Sequence, residues 1–445
     1  MRIIADLHIH SRFARATSKH ITIPNLERSA RVKGITVLGT GDAQHPQWFD
    51  ELKKNLNDDD GDGILRTAGD FPFILQTELA LIYSQGGKGR RVHVVTLFPS
   101  LEVVAQVQEM LKKLGRIDYD GRPIFKLSCE QLVEKMRGVS TEIEVIPAHI
   151  WTPWFSMFGA MSGFDSFTEC FGDQSKHVHA IETGLSSDPP MNWRIKQLDD
   201  KQIVSFSDAH SHWPWKLGRE ATVFDTKFTY TDILKAIRTG QGLASTIEFF
   251  PEEGKYHYDG HRACNVSMVP SETVKLNNRC PVCDRALTIG VMHRVEQLAD
   301  RPEGEKRPGA KPFQHLIPLS EIIASRLGTA VAAKKVFAVH ADLMKAFGDE
   351  FNVLLDATRD AIAKVTDDKL AELIIADREQ RIPFKPGYDG VFGYPDFSAY
   401  GVPGMTVAHP AEDAETAAES VKKADKAATH DKNQERKTQK SLGEF

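Results

Sequence analysis

Apolar runs that end in histidine or a carboxylate recur through the first half of this chain, and that pattern limits the folds open to it. The first run, Ile3-Ile4-Ala5, leads into Asp6-Leu7-His8-Ile9-His10. Alternate residues of a strand point to one face. His8 and His10 can therefore reach one metal ion from a strand end, with Asp6 behind them. The arrangement then repeats. Ile35 to Leu38 precedes Asp42 and His45, Glu78 lies in the run 73–82, and His93 lies in the run 92–98. His149 follows Val145-Ile146-Pro147-Ala148, Glu182 closes the run 178–182, and Asp208-Ala209-His210 follows the run 203–206. Helix-like stretches such as Leu101 to Leu114 and Cys129 to Arg137 lie between the runs. Strand alternating with helix argues for an α/β fold built on a largely parallel sheet, open or closed, with ligands at the C-terminal strand ends.

Core histidines bonded to the backbone would explain one or two of these positions, not the series. Imidazole with carboxylate suits zinc, manganese or iron. A carboxylate such as Glu78 can bridge two ions. Paired ions activate water and stabilise both the entering and the leaving oxygen of a phosphate ester. A phosphate ester is the substrate this chemistry selects.

A chain of 445 residues is too long for one ordinary core. Hydrophobic content of 41% with 26% charged residues is that of a water-exposed globular chain. No apolar stretch approaches the roughly 20 residues that cross a bilayer, and no secretory signal opens the chain, so a cytoplasmic protein is expected. The formal net charge of -5 does not decide for or against nucleic acid, because only the local field acts on a phosphate backbone. Four regions are expected: 1–245, 246–312, 313–409 and a tail, 410–445. The third has helical periodicity at Ser320 to Leu327 and Ala341 to Val365 and ends in the glycine-rich stretch Phe384 to Gly393. The tail is rich in Ala, Glu, Asp and Lys and is expected to be disordered in isolation.

Three of the five cysteines fall between 264 and 283. Cys280-Pro281-Val282-Cys283 with Cys264 spells a closed structural zinc site in a reducing compartment. His261 is the expected fourth ligand and His257 its rival. Such a site would hold a small module that lacks a core of its own.

The motif Asp6-Leu7-His8-Ile9-His10, together with Asp42, His45, Glu78, His149 and Asp208-Ala209-His210, resembles the PHP metallophosphoesterase superfamily. The resemblance implies a distorted (β/α)7 barrel with His8, His10, His45, Glu78, His93, His149, Asp208 and His210 as ligands of divalent zinc, manganese or magnesium. It makes Asp42 a ligand or the partner of one. It also casts Asp208, His210 and Glu78 as the catalytic centre and places His212 at the rim. The zinc module, the helical region and Pro386-Gly387-Tyr388-Asp389-Gly390-Val391-Phe392-Gly393 extend the resemblance, to about residue 400, to the endonuclease Q family of DNA repair enzymes. That family implies incision 5′ to a deaminated base (uracil, hypoxanthine or xanthine) or an abasic site, leaving a 3′ hydroxyl and a 5′ phosphate. Reading a deaminated base requires it to leave the stack. Trp151, Trp154, Trp213, Tyr256 and Tyr388 are candidates to stack or wedge, and Arg262 to hold a phosphate. Gln439, Leu442 and Phe445 have the spacing of a peptide that binds the sliding clamp PCNA. The alternatives are a small-molecule phosphatase of the same superfamily and a non-catalytic, clamp-associated DNA-binding protein.

Overall fold

The computed structural model describes residues 2–402. Its main sheet runs, edge to edge, through Phe313–His315, Leu243–Glu248, Ala221–Asp225, Arg2–Asp6, Val37–Gly39, Pro72–Gln85, Lys88–Phe98 and Glu144–Pro147. A separate parallel pair joins Ala180–Glu182 to Gln202–Val204. Hydrogen bonds beyond the ladders curl these parts into a ring. His10 N donates to Ala209 O at 3.0 Å, and Ile150 N donates to Glu182 O at 3.2 Å. Ile3, Ala5, Val37, Ile74, Val95, Ile146, Ala180 and Val204 come from different sides of that ring and pack as one buried cluster, the barrel interior. A larger cluster outside it takes the apolar faces of the helices.

The helices begin and end where local chemistry dictates. Ile23–Lys33 starts at Thr22, whose hydroxyl accepts from Asn25 N, and stops at Gly34 in the left-handed region. Leu101–Lys112 is capped by Ser100. Cys129–Val139 opens with a capping box between Ser128 and Gln131.

The sheet is mixed, not largely parallel. Arg2–Asp6, Val37–Gly39 and Pro72–Gln85 are parallel neighbours, but Pro72–Gln85 folds straight back on Lys88–Phe98 as an antiparallel hairpin. The reason is the turn: Gly86 and Gly87 both take positive φ, 61° and 73°, which a two-residue hairpin loop requires. Ala221–Asp225 is antiparallel to both its neighbours.

The last described helices are Leu319–Leu327, Lys334–Phe347, Arg359–Val365 and Asp368–Arg378. The continuous helix expected over Ala341 to Val365 is broken. Gly348 ends the first part with φ 89°, and Thr358 caps the next by accepting from Ala361 N. Lys33 Nζ meets Glu350 Oε2 at 2.8 Å, with both side chains buried. His340 Nε2 meets the other oxygen of Glu350 at 2.7 Å. This triad ties the first helix to the helical region. Phe313–His315 pairs in parallel with Leu243–Glu248 and forms the sheet's outer edge. No described helix is long and apolar enough to cross a membrane. The tail, with Gln439, Leu442 and Phe445, lies outside the described residues.

Candidate metal centre and nucleic-acid cleft

Two groups of ligand atoms converge at one end of the ring, each spanning no more than 4.8 Å: His8, His10, Glu78 and Asp208 form one, and Glu78, His93 and His149 the other. Glu78 belongs to both. Its Oε2 lies 3.1 Å from His10 Nε2 and 3.6 Å from His8 Nε2. Its Oε1 lies 2.8 Å from His93 Nδ1 and 3.2 Å from His149 Nε2. Asp208 Oδ1 completes the first group, 3.1 Å from His10 Nε2 and 3.6 Å from His8 Nε2. One carboxylate thus faces two candidate ion positions, as a bridging ligand must.

The far sides of the rings are fixed by acceptors. His8 Nδ1 contacts Glu182 Oε1 at 2.9 Å, His10 Nδ1 contacts Asp42 Oδ1 at 3.0 Å, and His149 Nδ1 contacts Ser156 Oγ at 3.1 Å. Such contacts set the tautomer and aim the opposite nitrogen at a cation. Asp42 accepts in turn from Ser11 N and Oγ, both at 2.6 Å. Glu182 also accepts from His149 N at 2.7 Å. Asp42 and Glu182 therefore support the imidazoles from behind. His8 Nε2 is buried and has no hydrogen-bond partner. An orphaned buried nitrogen facing two carboxylates fits a divalent cation.

Electrostatics and backbone strain concentrate here. Burial opposes charge on Glu78, but His93, Arg122 and His8 hold its carboxyl well below the ordinary range. Burial likewise opposes a charged His8, and Glu182, Asp208 and Glu78 outweigh it, so its pKa is raised. Asp42, His149 and Asp208 have positive φ of 42°, 31° and 48°. Non-glycine residues in that region cost about 1–3 kcal/mol each and persist where surrounding contacts enforce them.

Some sequence expectations are corrected. His45 is not in either group. It stands immediately before the helix Pro46–Asn55 without a side-chain capping bond, and its ring stacks on Phe13 at 4.5 Å; the tight turn through Gly41 and Asp42 leads it away from the other imidazoles. His210 lies beside the first group, its ring 4.6 Å from that of His10, and its Nδ1 is 2.8 Å from Asp208 O. Trp151 is buried, and its Nε1 donates to Asn192 Oδ1, so it packs the core and cannot meet DNA. Half-buried Trp213 stacks between His212 and Trp215 and packs against Phe337. The sequence reading missed Arg122, whose Nη1 donates to Glu78 Oε2 at 2.9 Å. It also missed Ser156. Neither lies in a strand-end motif, and only their place in the fold marks them.

An open cavity of about 520 Å³ leads to the centre. His93, Arg122, His149, Asp208 and His210 line one part of it, and Trp154, Phe155, Lys255, Tyr256 and Phe392 another. Trp154 is 39% exposed and meets Tyr256 edge-on at 5.7 Å. Lys255 and Tyr256 lead along the chain into the cysteine module. His261, Cys264, Cys280 and Cys283 bring four ligand atoms within 4.8 Å, and buried His257 stays outside the group. Cys283 Sγ is 3.4 Å from His261 Nδ1. Against the cost of burial, the N–H groups of Val282 and Cys283 pull the Cys280 thiol down to about 6. Three thiols and an imidazole at these separations fit a tetrahedral zinc. Tyr388 ties the glycine-rich stretch to this module through Asn265 Oδ1 at 2.8 Å. Asp389 does so by accepting from the N–H of exposed Arg262 at 2.7 Å.

Residues 318–381 match the family described as the MJ0043 C-terminal domain. The chain is 33% identical over 289 residues to the uncharacterised protein MJ0043 of Methanocaldococcus jannaschii, which covers 63% of this chain. The chain spans only 35% of that protein's length. It is 31% identical over 413 residues to the uncharacterised protein YqxK of Bacillus subtilis, covering 88% of this chain and 98% of that one. The crystal structure of the lesion-specific endonuclease PfuEndoQ from Pyrococcus furiosus superposes with a TM-score of 0.80 at 33% identity, over 89% of this chain and 95% of that one. A crystal structure of endonuclease Q with a 27-mer duplex substrate, an abasic lesion at its active site, gives the same score and identity over 91% and 99%.

Proposed function

The chain belongs to the endonuclease Q family, and on that premise we propose that it is a metal-dependent DNA repair endonuclease. It hydrolyses the phosphodiester bond 5′ to a deaminated base (uracil, hypoxanthine or xanthine) or an abasic site, leaving a 3′ hydroxyl and a 5′ phosphate. One observation carries the reading: a buried carboxylate shared by two ligand groups, Glu78, whose partners His93, His149 and Asp208 line an open cavity that Trp154 and Tyr256 also line. Divalent ions held there supply an activated water and neutralise charge on the phosphate. The protein's part is positional. His8, His10 and Asp208 would hold one ion and His93 and His149 the other, with Glu78 between them. Asp42, Glu182 and Ser156 keep the imidazoles aimed. Trp154 and Tyr256 offer faces for an unstacked base. The cysteine module would hold a structural zinc through His261, Cys264, Cys280 and Cys283.

A small-molecule phosphatase is the second reading. The cavity argues against it, because part of its wall comes from Lys255, Tyr256 and Phe392, outside the barrel strands. Gln439, Leu442 and Phe445 are proposed as a tether to a sliding clamp. Deleting 439–445 should then abolish co-elution with the clamp and leave incision of free duplex unchanged.

Labelled duplexes carrying one uracil, hypoxanthine or abasic site, incubated with magnesium, manganese or zinc, test the main reading. Incision 5′ to the lesion with the stated ends is expected. Hydrolysis of phosphomonoesters with no cut in any of the duplexes would sink it.

A further inference from the structure

Arg122 enters the metal centre from a loop that carries no recognisable ligand motif, Asp118 to Pro123. The loop is pinned at several points to the segments that present His10 and Asp42. Gln44 Nε2 donates to Gly121 O at 2.6 Å, and Gly121 N donates to Phe13 O at 3.0 Å. Asp120 accepts from Arg122 N at 3.0 Å and from Arg15 N at 3.3 Å, and its other oxygen meets Arg15 Nε at 3.0 Å. Gly121 lies so close to Asp42 and Ala14 that a Cβ there would collide with Asp42 Oδ2 and Ala14 N. The loop therefore cannot shift without disturbing the support of His10, and Arg122 is held in one place.

Its guanidinium reaches Glu78 Oε2, the same oxygen that faces His8 and His10. A guanidinium offers five N–H donors in a rigid fork, and one contact to Glu78 uses a small part of that capacity. Arg122 also lines the cavity beside Asp208 and His210. A phosphate close enough to touch ions held by Glu78 and Asp208 comes within reach of the same fork.

We propose that Arg122 is a catalytic residue that grips a non-bridging oxygen of the scissile phosphate. The inference rests on the endonuclease reading above and adds to it a direct protein contact with the reacting group. Charge developing on the phosphate in the transition state strengthens that contact, so its loss lowers turnover more than binding.

Cleavage of an abasic duplex by the wild-type protein tests the endonuclease reading alone. The arginine is tested by binding, read by fluorescence anisotropy with manganese present. Two duplexes are compared, one with the normal scissile phosphate and one with a neutral methylphosphonate there. The neutral linkage should weaken wild-type binding more than that of Arg122→Gln, by a ratio of about tenfold. Manganese content should be the same in the two proteins, and Arg122→Gln should cut about a hundredfold more slowly. Equal penalties in the two proteins would overturn the proposal. So would loss of manganese from the variant with an unchanged penalty, since the arginine would then only position Glu78. If the glutamine variant does not fold, Arg122→Lys carries the test. Its single ammonium must give a smaller penalty than wild type, and an equal one overturns the proposal.

Discussion

The barrel centre and the cysteine module each gather ligand atoms within 4.8 Å, yet the two are built in opposite ways. His8, His10 and Glu78 are completely buried, backed by a second layer of acceptors and set over the barrel's own apolar cluster. Cys283 is exposed, Cys264 is half-buried, and only a few apolar side chains of the module, such as Leu287, Val291 and Val295, are fully covered. The barrel has a large apolar core of its own, so ions held at its centre would serve chemistry rather than folding. The module has little core, so an ion held by its cysteines would serve folding.

The largest effect should come from removing a zinc thiolate. Cys280→Ser should release zinc and unfold the module locally, against the roughly 10 kcal/mol that a structural zinc contributes in small modules. Metal analysis and amide exchange over 259–288 measure this, and unchanged exchange would break the contrast. Asp208→Ala comes next. It should slow incision by about a thousandfold while leaving lesion binding and the melting temperature close to wild type. A variant that still incises normally removes Asp208 from the centre.

Glu350→Gln should cost about 3 kcal/mol, because it leaves Lys33 buried without its charge partner. It also predicts a pH dependence. Burial alone would raise the Glu350 carboxyl, but Lys33 and His340 bring it below its ordinary value. A lowered carboxyl contributes stability above its unfolded pKa, and that contribution is lost as pH falls through the folded value. Melting temperatures between pH 7 and 3 should therefore fall more steeply for wild type than for Glu350→Gln. The smallest effect is expected at Trp154. Trp154→Ala should weaken binding of the abasic duplex by about 1–3 kcal/mol without altering metal content, whereas Trp151→Ala should cost stability instead.

Much of the centre was legible because strand periodicity fixes which neighbours share a face. His8, His10 and Asp208 sit at strand ends and could be paired from sequence alone. His45 looked equivalent, but a helix begins at the next residue, and that turns its ring onto Phe13. Trp151 and Trp154 lie three residues apart, and nothing local tells the buried one from the exposed one. Arg122 stayed invisible because its placement depends on contacts of the adjoining Gly121 with Phe13 and Gln44, over a hundred and more than seventy residues away. The antiparallel hairpin was the avoidable miss, since Gly86-Gly87 between two apolar runs is a turn signal in its own right.

The strand Phe313–His315 has a practical consequence. Trimming the protein to its barrel by stopping just after Glu248 would strip the cover from Leu243–Glu248. Unsatisfied backbone donors and acceptors along that border would then recruit strands from other molecules. Such a fragment should precipitate rather than work, since the residues beyond the barrel cover its border as well as lining the cleft.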